Sequence, residues 1–134
     1  MKTSDLSPVP LPATFAERLI RGNVMTAECP SREILKHLTS RWGALVVIAL
    51  MPGKQRFSEL RHCIGGVSER MLAQTLQLLE ADGMVERKDF KTVPPHVEYT
   101  LTPIGCEAAE KIHGLVDWLE TKLPSILETR SVTT

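Results

Sequence analysis

Cysteine is scarce in this sequence, and its three copies lie far apart. Cys29, Cys63 and Cys106 form no CxxC pair, and no two histidines have an HxxxH spacing. An odd number of dispersed cysteines argues against a disulfide framework, and the missing pairs argue against a structural zinc site. We therefore expect reduced thiols, no metal and no cofactor.

Long apolar runs are missing as well. The longest, residues 44–51, lies between Trp42-Gly43 and Pro52-Gly53. A membrane helix needs roughly 18 apolar residues, so this run is too short. Residues 1–12 also lack the apolar segment and the cleavage site of a signal peptide. These absences predict a cytoplasmic protein with no membrane partner.

Net charge is the third absence, because 16 basic side chains balance 16 acidic ones. The distribution is nevertheless uneven. Residues 36–74 carry six lysine and arginine side chains against two acidic ones, a net of +4, whereas residues 75–134 carry six against ten, a net of −4. The first region can face nucleic-acid phosphates while the second keeps the protein soluble. Ordinary surface variation is the alternative explanation.

Residues 57–101 carry the most information. They predict, in order, a short helix over Phe57–Cys63, a Gly65-Gly66 turn, an amphipathic helix over 68–81, an Asp82-Gly83 stop, and two strands joined by a proline loop within 84–101. This arrangement can put one helix into a DNA major groove and the hairpin, or wing, onto the flanking backbone. None of it is suited to bond-making chemistry, so we expect a binding module and not an enzyme.

The predicted helix over 68–81 has two distinct faces. Its apolar stripe consists of Leu72, Leu76 and Leu79, at the spacing of a buried helix face. The opposite face carries groups that can bond to base edges or phosphates, with a small residue that permits close approach: Arg70, Ala73, Gln74 and Gln77. A merely solvated face would more often carry pairs of glutamate and lysine.

Three further helices precede this segment, and a fourth follows it. Pro30 begins one that runs through Leu38, residues 42–50 predict a buried one, and residues 13–21 predict a short one. At the other end, Thr102 caps a long helix that begins at Pro103 and that we expect Pro124 to end.

The last helix has an apolar stripe that is wider than one small domain needs to cover itself. Its members recur at steps of four and three: Ile104, Ala108, Ile112, Leu115 and Leu119. We interpret this stripe as a homodimer interface, and packing within its own domain is the alternative. The sequence thus predicts a mostly α fold with a small β-hairpin wing (α+β), a dimeric winged helix-turn-helix.

These motifs together resemble the HxlR (DUF24) family of winged helix-turn-helix transcription regulators, which are relatives of the MarR type. The resemblance covers about residues 28–120 and rests on residues 29–30, 42, 56–60 (RFSEL), 68–72 (SERML), 76, 79–80, 82–87 (DGMVER), 93–95, 97–99 and 101–105 (LTPIG). We therefore divide the chain into an N-terminal lead (1–27), a DNA-binding and dimerisation domain (28–123) and a C-terminal tail (124–134).

The resemblance implies a homodimer that binds an inverted repeat in double-stranded promoter DNA. Helix 68–81 would enter the major groove, and the wing at 84–101 would contact the adjacent backbone. The DNA contacts that follow are Arg56, Ser68, Arg70, Met71, Gln74, Gln77, Lys88 and Lys91. Contacts to phosphates would dominate the affinity and make it sensitive to salt.

The resemblance also implies a signal, either an oxidant or a small molecule. Several family members sense electrophiles or oxidants through a cysteine just before the first core helix, and Cys29 has that position. The positive end of the helix dipole favours a thiolate there, whereas Glu28 and Glu33 oppose it. The alternative is that Cys29 is a small buried residue.

Two other function classes remain to be weighed. A winged-helix module that binds proteins and no longer binds DNA is consistent with the zero net charge. A thiol enzyme would need a base beside its cysteine, but His62 and Cys63 are neighbours on a helix and point about 100° apart. Target genes, the direction of regulation and the natural signal do not follow from the sequence.

Overall fold

The computed structural model describes residues 24–133, so the predicted helix at 13–21 and most of the lead 1–27 lie outside the described residues. The chain divides after Leu35 into two units. In the first unit, residues 24–29 form turns, and helix α1 (Pro30–Thr39) then begins at the predicted proline. The second unit contains all the elements that follow α1.

The elements follow in the predicted order, with one addition. After α1 come α2 (Arg41–Ala49), β1 (Gln55–Arg56), α3 (Phe57–Cys63), α4 (Glu69–Ala81), β2 (Val85–Asp89), β3 (Val97–Leu101) and α5 (Pro103–Thr133). The three strands form an antiparallel sheet in the order β1-β3-β2. The described chain is therefore a winged helix-turn-helix, with α3 and α4 as its helix pair and the β2–β3 hairpin as its wing.

The core lies where α2 packs against α4 and α5. Val46 and Val47 of α2 and Leu50 at its C-terminal cap are buried, and so is the predicted α4 stripe of Leu72, Leu76 and Leu79. Burial of one such side chain contributes about 1.5–3 kcal/mol. This packing fixes the rotation of α4 about its axis, and the polar face of α4 is consequently left outside.

Both ends of α4 are capped by local hydrogen bonds. The Ser68 hydroxyl accepts from the Met71 N–H at 3.1 Å. At the other end, the Gly83 and Met84 N–H groups donate to the carbonyls of Glu80 and Leu79, which is a Schellman motif. Gly83 has a φ of +80°, a conformation that glycine adopts without strain. The predicted start and stop of this helix are confirmed.

The predicted end of the last helix is wrong. Helix α5 continues through Pro124 to Thr133, so the segment that we described as a tail is helical. A proline inside a helix leaves the carbonyl four residues earlier, here that of Glu120, without its usual donor. Glu120 and Thr121 are exposed, so water can satisfy that carbonyl.

Strand β1 was absent from the sequence-based prediction. It has two residues, and Gln55 and Arg56 pair with Tyr99 and Glu98 of β3. A strand this short has no detectable period, and it forms because β3 offers it a free edge. It places Lys54 and Arg56 beside the wing.

Candidate DNA-binding surface

The exposed face of α4 is a row of polar side chains. Arg70, Gln74 and Gln77 are exposed, and Ala73 between them is half-buried. Within residues 24–133, no carboxylate forms an ion pair with Arg70. The row therefore offers one guanidinium and two amides, groups that make bidentate contacts to guanine and adenine.

The other predicted contacts on the helix pair lie around the start of α4. Ser68 uses its oxygen as the cap acceptor but retains its hydroxyl proton as a donor. Met71 is 39% exposed. Arg56 precedes α3, and its backbone N–H donates to the Glu59 carboxylate at 2.7 Å, which leaves its exposed guanidinium uncommitted to the cap.

The two wing lysines differ in their surroundings. The Lys88 ammonium lies 4.8 Å from the centroid of the Phe90 ring, a cation–π contact that restrains it. Lys91 has a φ of +58°, and its backbone N–H donates to the Asp89 carboxylate at 2.8 Å. The proline loop that follows contains a cis Val93–Pro94 bond. Both lysine side chains are exposed on the wing, as predicted.

The structure adds two grooves that flank α4. An open groove of about 440 Å³ lies between α3 and the start of α4 and is lined by Phe57, Ser58, Arg61, His62, Val67 and Glu69. Across it, Arg61 and Glu69 form an exposed ion pair at 3.1 Å. Arg61 and His62 are exposed beside the predicted contacts. The sequence does not identify them as part of this surface, because their proximity to α4 depends on how α3 and α4 pack.

A second groove of about 370 Å³ separates α4 from the hairpin. Its lining is Ala73, Leu76, Gln77, Glu80, Arg87 and Tyr99. A hydrogen bond to Tyr99 raises the pKa of Arg87 above its already high ordinary value. The guanidinium therefore stays charged between the polar face of α4 and the wing.

Two contacts hold the C-terminal end of α4 in place. His37 Nδ1 lies 2.6 Å from Asp82 Oδ2, and both side chains are largely buried. The Thr102 hydroxyl donates to the Gly83 carbonyl at 2.6 Å and accepts from the Gly105 N–H at 2.9 Å. The end of α4 is thus tied to α1 on one side and to the start of α5 on the other.

The predicted stripe on α5 divides into two sets. Ala108 and Ile112 are half-buried, whereas Ile104, Leu115 and Leu119 are 59%, 58% and 43% exposed. The same side of the helix also exposes Trp118 (54%) and Leu123 (41%). A run of large apolar side chains on one helix face marks an interaction surface.

The three cysteines have different environments. Cys29 is half-buried just before α1, and its sulfur lies 2.8 Å from the Ser31 hydroxyl oxygen. Cys63 and Cys106 are both exposed. In the chain from residue 24 to residue 133, no helix is long and apolar enough to cross a bilayer.

A capped helix α4 with an exposed polar face, a charged wing and a buried three-helix core are the features of a winged helix-turn-helix transcriptional regulator. The HxlR-like helix-turn-helix family model matches residues 37–126, and the chain belongs to this family. The prediction made from the motifs is confirmed.

Relatives and solved structures agree with this assignment. The HTH-type transcriptional regulator YtfH of Escherichia coli (strain K12) is 54% identical over 117 residues, which are 87% of this chain and 93% of that protein. A structure described as the transcriptional regulator YtfH of Salmonella typhimurium has a TM-score of 0.78 and 55% identity, and covers 82% of this chain and 98% of that one. The redox regulator HypR in its reduced form has a TM-score of 0.67 and 33% identity, with 75% and 98% covered.

Proposed function

We propose that this protein is a homodimeric regulator that binds an inverted repeat in promoter DNA. Helix α4 enters the major groove, and the wing contacts the adjacent phosphates. The observation that carries the proposal is the exposed row of Arg70, Gln74 and Gln77 on a helix whose rotation is fixed by its buried leucines. The protein acts in the cytoplasm, where promoter DNA lies, and has no catalytic role.

The proposed contacts divide by their chemistry. Arg70, Met71, Gln74 and Gln77 lie on α4 and face bases, and Ser68 at its cap donates to a phosphate. Arg56, Lys88 and Lys91 carry charge without a base-reading geometry, so they bind the backbone. Because two copies of α4 must meet successive major grooves, a dimer through α5 accounts for an inverted repeat.

Salt dependence tests this proposal against the protein-binding alternative. We expect the affinity for the duplex upstream of the protein's own gene to fall by about a thousandfold or more between about 50 and 200 mM salt, as for six or more phosphate contacts. The measurement is fluorescence anisotropy with a labelled duplex. If no duplex binds even at the lower salt concentration, the alternative that this is a winged-helix module that binds proteins and not DNA is favoured.

We further infer that Cys29 makes the regulator responsive to oxidants or electrophiles. Two observations support this. The sulfur lies next to a hydroxyl that can donate to a thiolate, immediately before the first residue of α1. A structurally similar relative is described as a redox regulator. Oxidation at this position would change the geometry of the dimer and hence the spacing of the two α4 helices.

Substitution of Cys29 by serine is expected to abolish the effect of diamide on DNA affinity while leaving the affinity of the untreated protein unchanged. Cys63→Ser and Cys106→Ser are the matched controls, since both thiols are exposed and each variant should respond as the parent does. The measurement is anisotropy before and after treatment. A Cys29→Ser protein that still responds would remove Cys29 from the account.

A further inference from the structure

One face of the sheet holds a group of charged side chains that we call the sheet-face cluster: Lys54, Arg56, Lys88, His96 and Glu98. Successive side chains of a strand point to opposite faces, so this face is the one opposite Tyr99. Glu98 lies on the central strand and is the cross-strand partner of both Arg56 on β1 and Lys88 on β2. Directly opposed Cβ atoms lie about 5 Å apart, so Glu98 has a basic residue beside it on each neighbouring strand.

Glu98 also contacts the two remaining members of the cluster. Its carboxylate lies 2.8 Å from His96 Nε2 and 3.7 Å from Lys54 Nζ, and its side chain is only 16% exposed. The hydrogen bond from His96 holds the pKa of Glu98 below its usual range. The carboxylate therefore remains ionised at neutral and mildly acidic pH.

Aromatic contacts restrain the histidine and one lysine of the cluster. The Phe90 and His96 rings meet edge to face with centroids 4.8 Å apart, and the Lys88 ammonium lies 4.8 Å from the Phe90 centroid. His96 Nε2 can donate to Glu98 both as a neutral ring and as an imidazolium, so the contact persists in either state. Protonation of His96 thus changes the charge of the cluster without breaking its geometry.

The net charge of this face depends on whether His96 is protonated. Lys54, Arg56 and Lys88 give three positive charges, and Glu98 removes one. Glu86, the next residue on this face of β2, pairs with Thr100 and removes another, which leaves +1. Protonation of His96 raises the total to +2, on a wing whose basic side chains are proposed to bind phosphates.

We propose that the sheet-face cluster binds DNA phosphates, an inference that rests on the proposed DNA-binding function. Glu98 weakens this phosphate binding, and protonation of His96 strengthens it again. Lys54 and His96 thereby join the wing lysines as contacts to the DNA backbone. The affinity for double-stranded DNA is higher when His96 is protonated than when it is neutral.

The test is the salt dependence of binding to a duplex of unrelated sequence, labelled with a dye that does not titrate. We expect the slope of log affinity against log salt to steepen by up to about 1.8 between about pH 8 and about pH 6, as for one added phosphate contact in each of the two subunits. At about 0.1 M salt this corresponds to up to about a sixtyfold gain in affinity. In His96→Gln, the salt slope and the affinity should no longer show this increase between about pH 8 and about pH 6.

Two further variants complete the experiment. Glu98→Gln should bind more tightly than the parent at about pH 8, with a slope steeper by up to about 1.8 for the two subunits together. His113→Gln, an exposed histidine on α5, should keep the pH dependence of the parent. If His96→Gln shows the same pH dependence as the parent, or if Glu98→Gln binds no more tightly than the parent, this inference is wrong while the proposed function still stands. Absence of any duplex binding at either pH overturns the proposed function itself.

Discussion

A glutamate in place of Leu115 is expected to turn the dimer into a folded monomer and to weaken binding to the inverted repeat by about a hundredfold or more. Leu115 is 58% exposed on α5, beside Leu119 and Trp118. The substitution leaves the core of the monomer intact, because an exposed helix position tolerates glutamate within about 0.5 kcal/mol. In the proposed dimer it would bury a carboxylate against apolar side chains.

The loss of DNA affinity follows from the loss of the second half-site. When two recognition helices are linked, the second binds at an effective concentration in the range of about 1 mM, and a monomer forfeits this gain. Analytical ultracentrifugation gives the oligomeric state, and anisotropy gives the affinity. A Leu115→Glu protein that remains dimeric would exclude this surface as the interface.

Thr121→Glu is the matched control for this prediction. It adds the same charge to the same helix at an exposed position. Helical geometry of about 100° per residue puts Thr121 about 120° around the helix from Leu115, outside the predicted stripe. We expect this variant to remain a dimer with the affinity of the parent. Monomerisation by both variants would instead point to a general effect of charge on α5.

Replacement of Gly105 by alanine is expected to destabilise the fold by about 3 kcal/mol. A Cβ atom at this position would overlap the Met84 carbonyl oxygen and lie 2.9 Å from the Met84 carbonyl carbon. Both are backbone atoms, so no change of rotamer relieves the overlap. The start of α5 would have to move away from the loop that ends α4, and the bond from Thr102 to the Gly83 carbonyl would be lost.

Gly114→Ala is the control for Gly105→Ala. It makes the same change in the same helix, but nothing lies within 4 Å of the added Cβ. We expect it to stabilise the protein by up to about 1 kcal/mol through helix propensity. Urea unfolding at one fixed protein concentration measures both variants. A loss of less than about 1 kcal/mol for Gly105→Ala would show that α5 is not packed closely on this loop.

The elements of this fold that local chemistry specifies were predictable from sequence. Ser68 and Gly83 delimit α4 because a hydroxyl acceptor and a positive φ are needed at those two places. Thr102 caps α5 for the same reason. The leucines of α4 recur at steps of four and three residues, which likewise predicted that one face of the helix is buried and the opposite face is polar. The proposed base contacts lie on that polar face.

Features that depend on tertiary contacts were not predictable in this way. The His37–Asp82 pair joins residues 45 positions apart. Strand β1 exists only because β3 offers it an edge, and it is β1 that brings Arg56 opposite Glu98. We expected Pro124 to end α5, but the helix continues to Thr133. Proline costs a helix one backbone hydrogen bond, and this loss is less costly where water can reach the unpaired carbonyl.

The central claim is that the exposed face of α4 reads DNA sequence. It is tested most directly by comparing the parent with Arg70→Ala and Gln74→Ala on two duplexes, the region upstream of the protein's own gene and an unrelated sequence. We expect each variant to lose about tenfold or more in the ratio of the two affinities, because bidentate base contacts are lost. Lys111→Ala, an exposed lysine on α5, should keep the parent's ratio. A ratio unchanged by both α4 variants would contradict the assignment of α4 as the recognition helix.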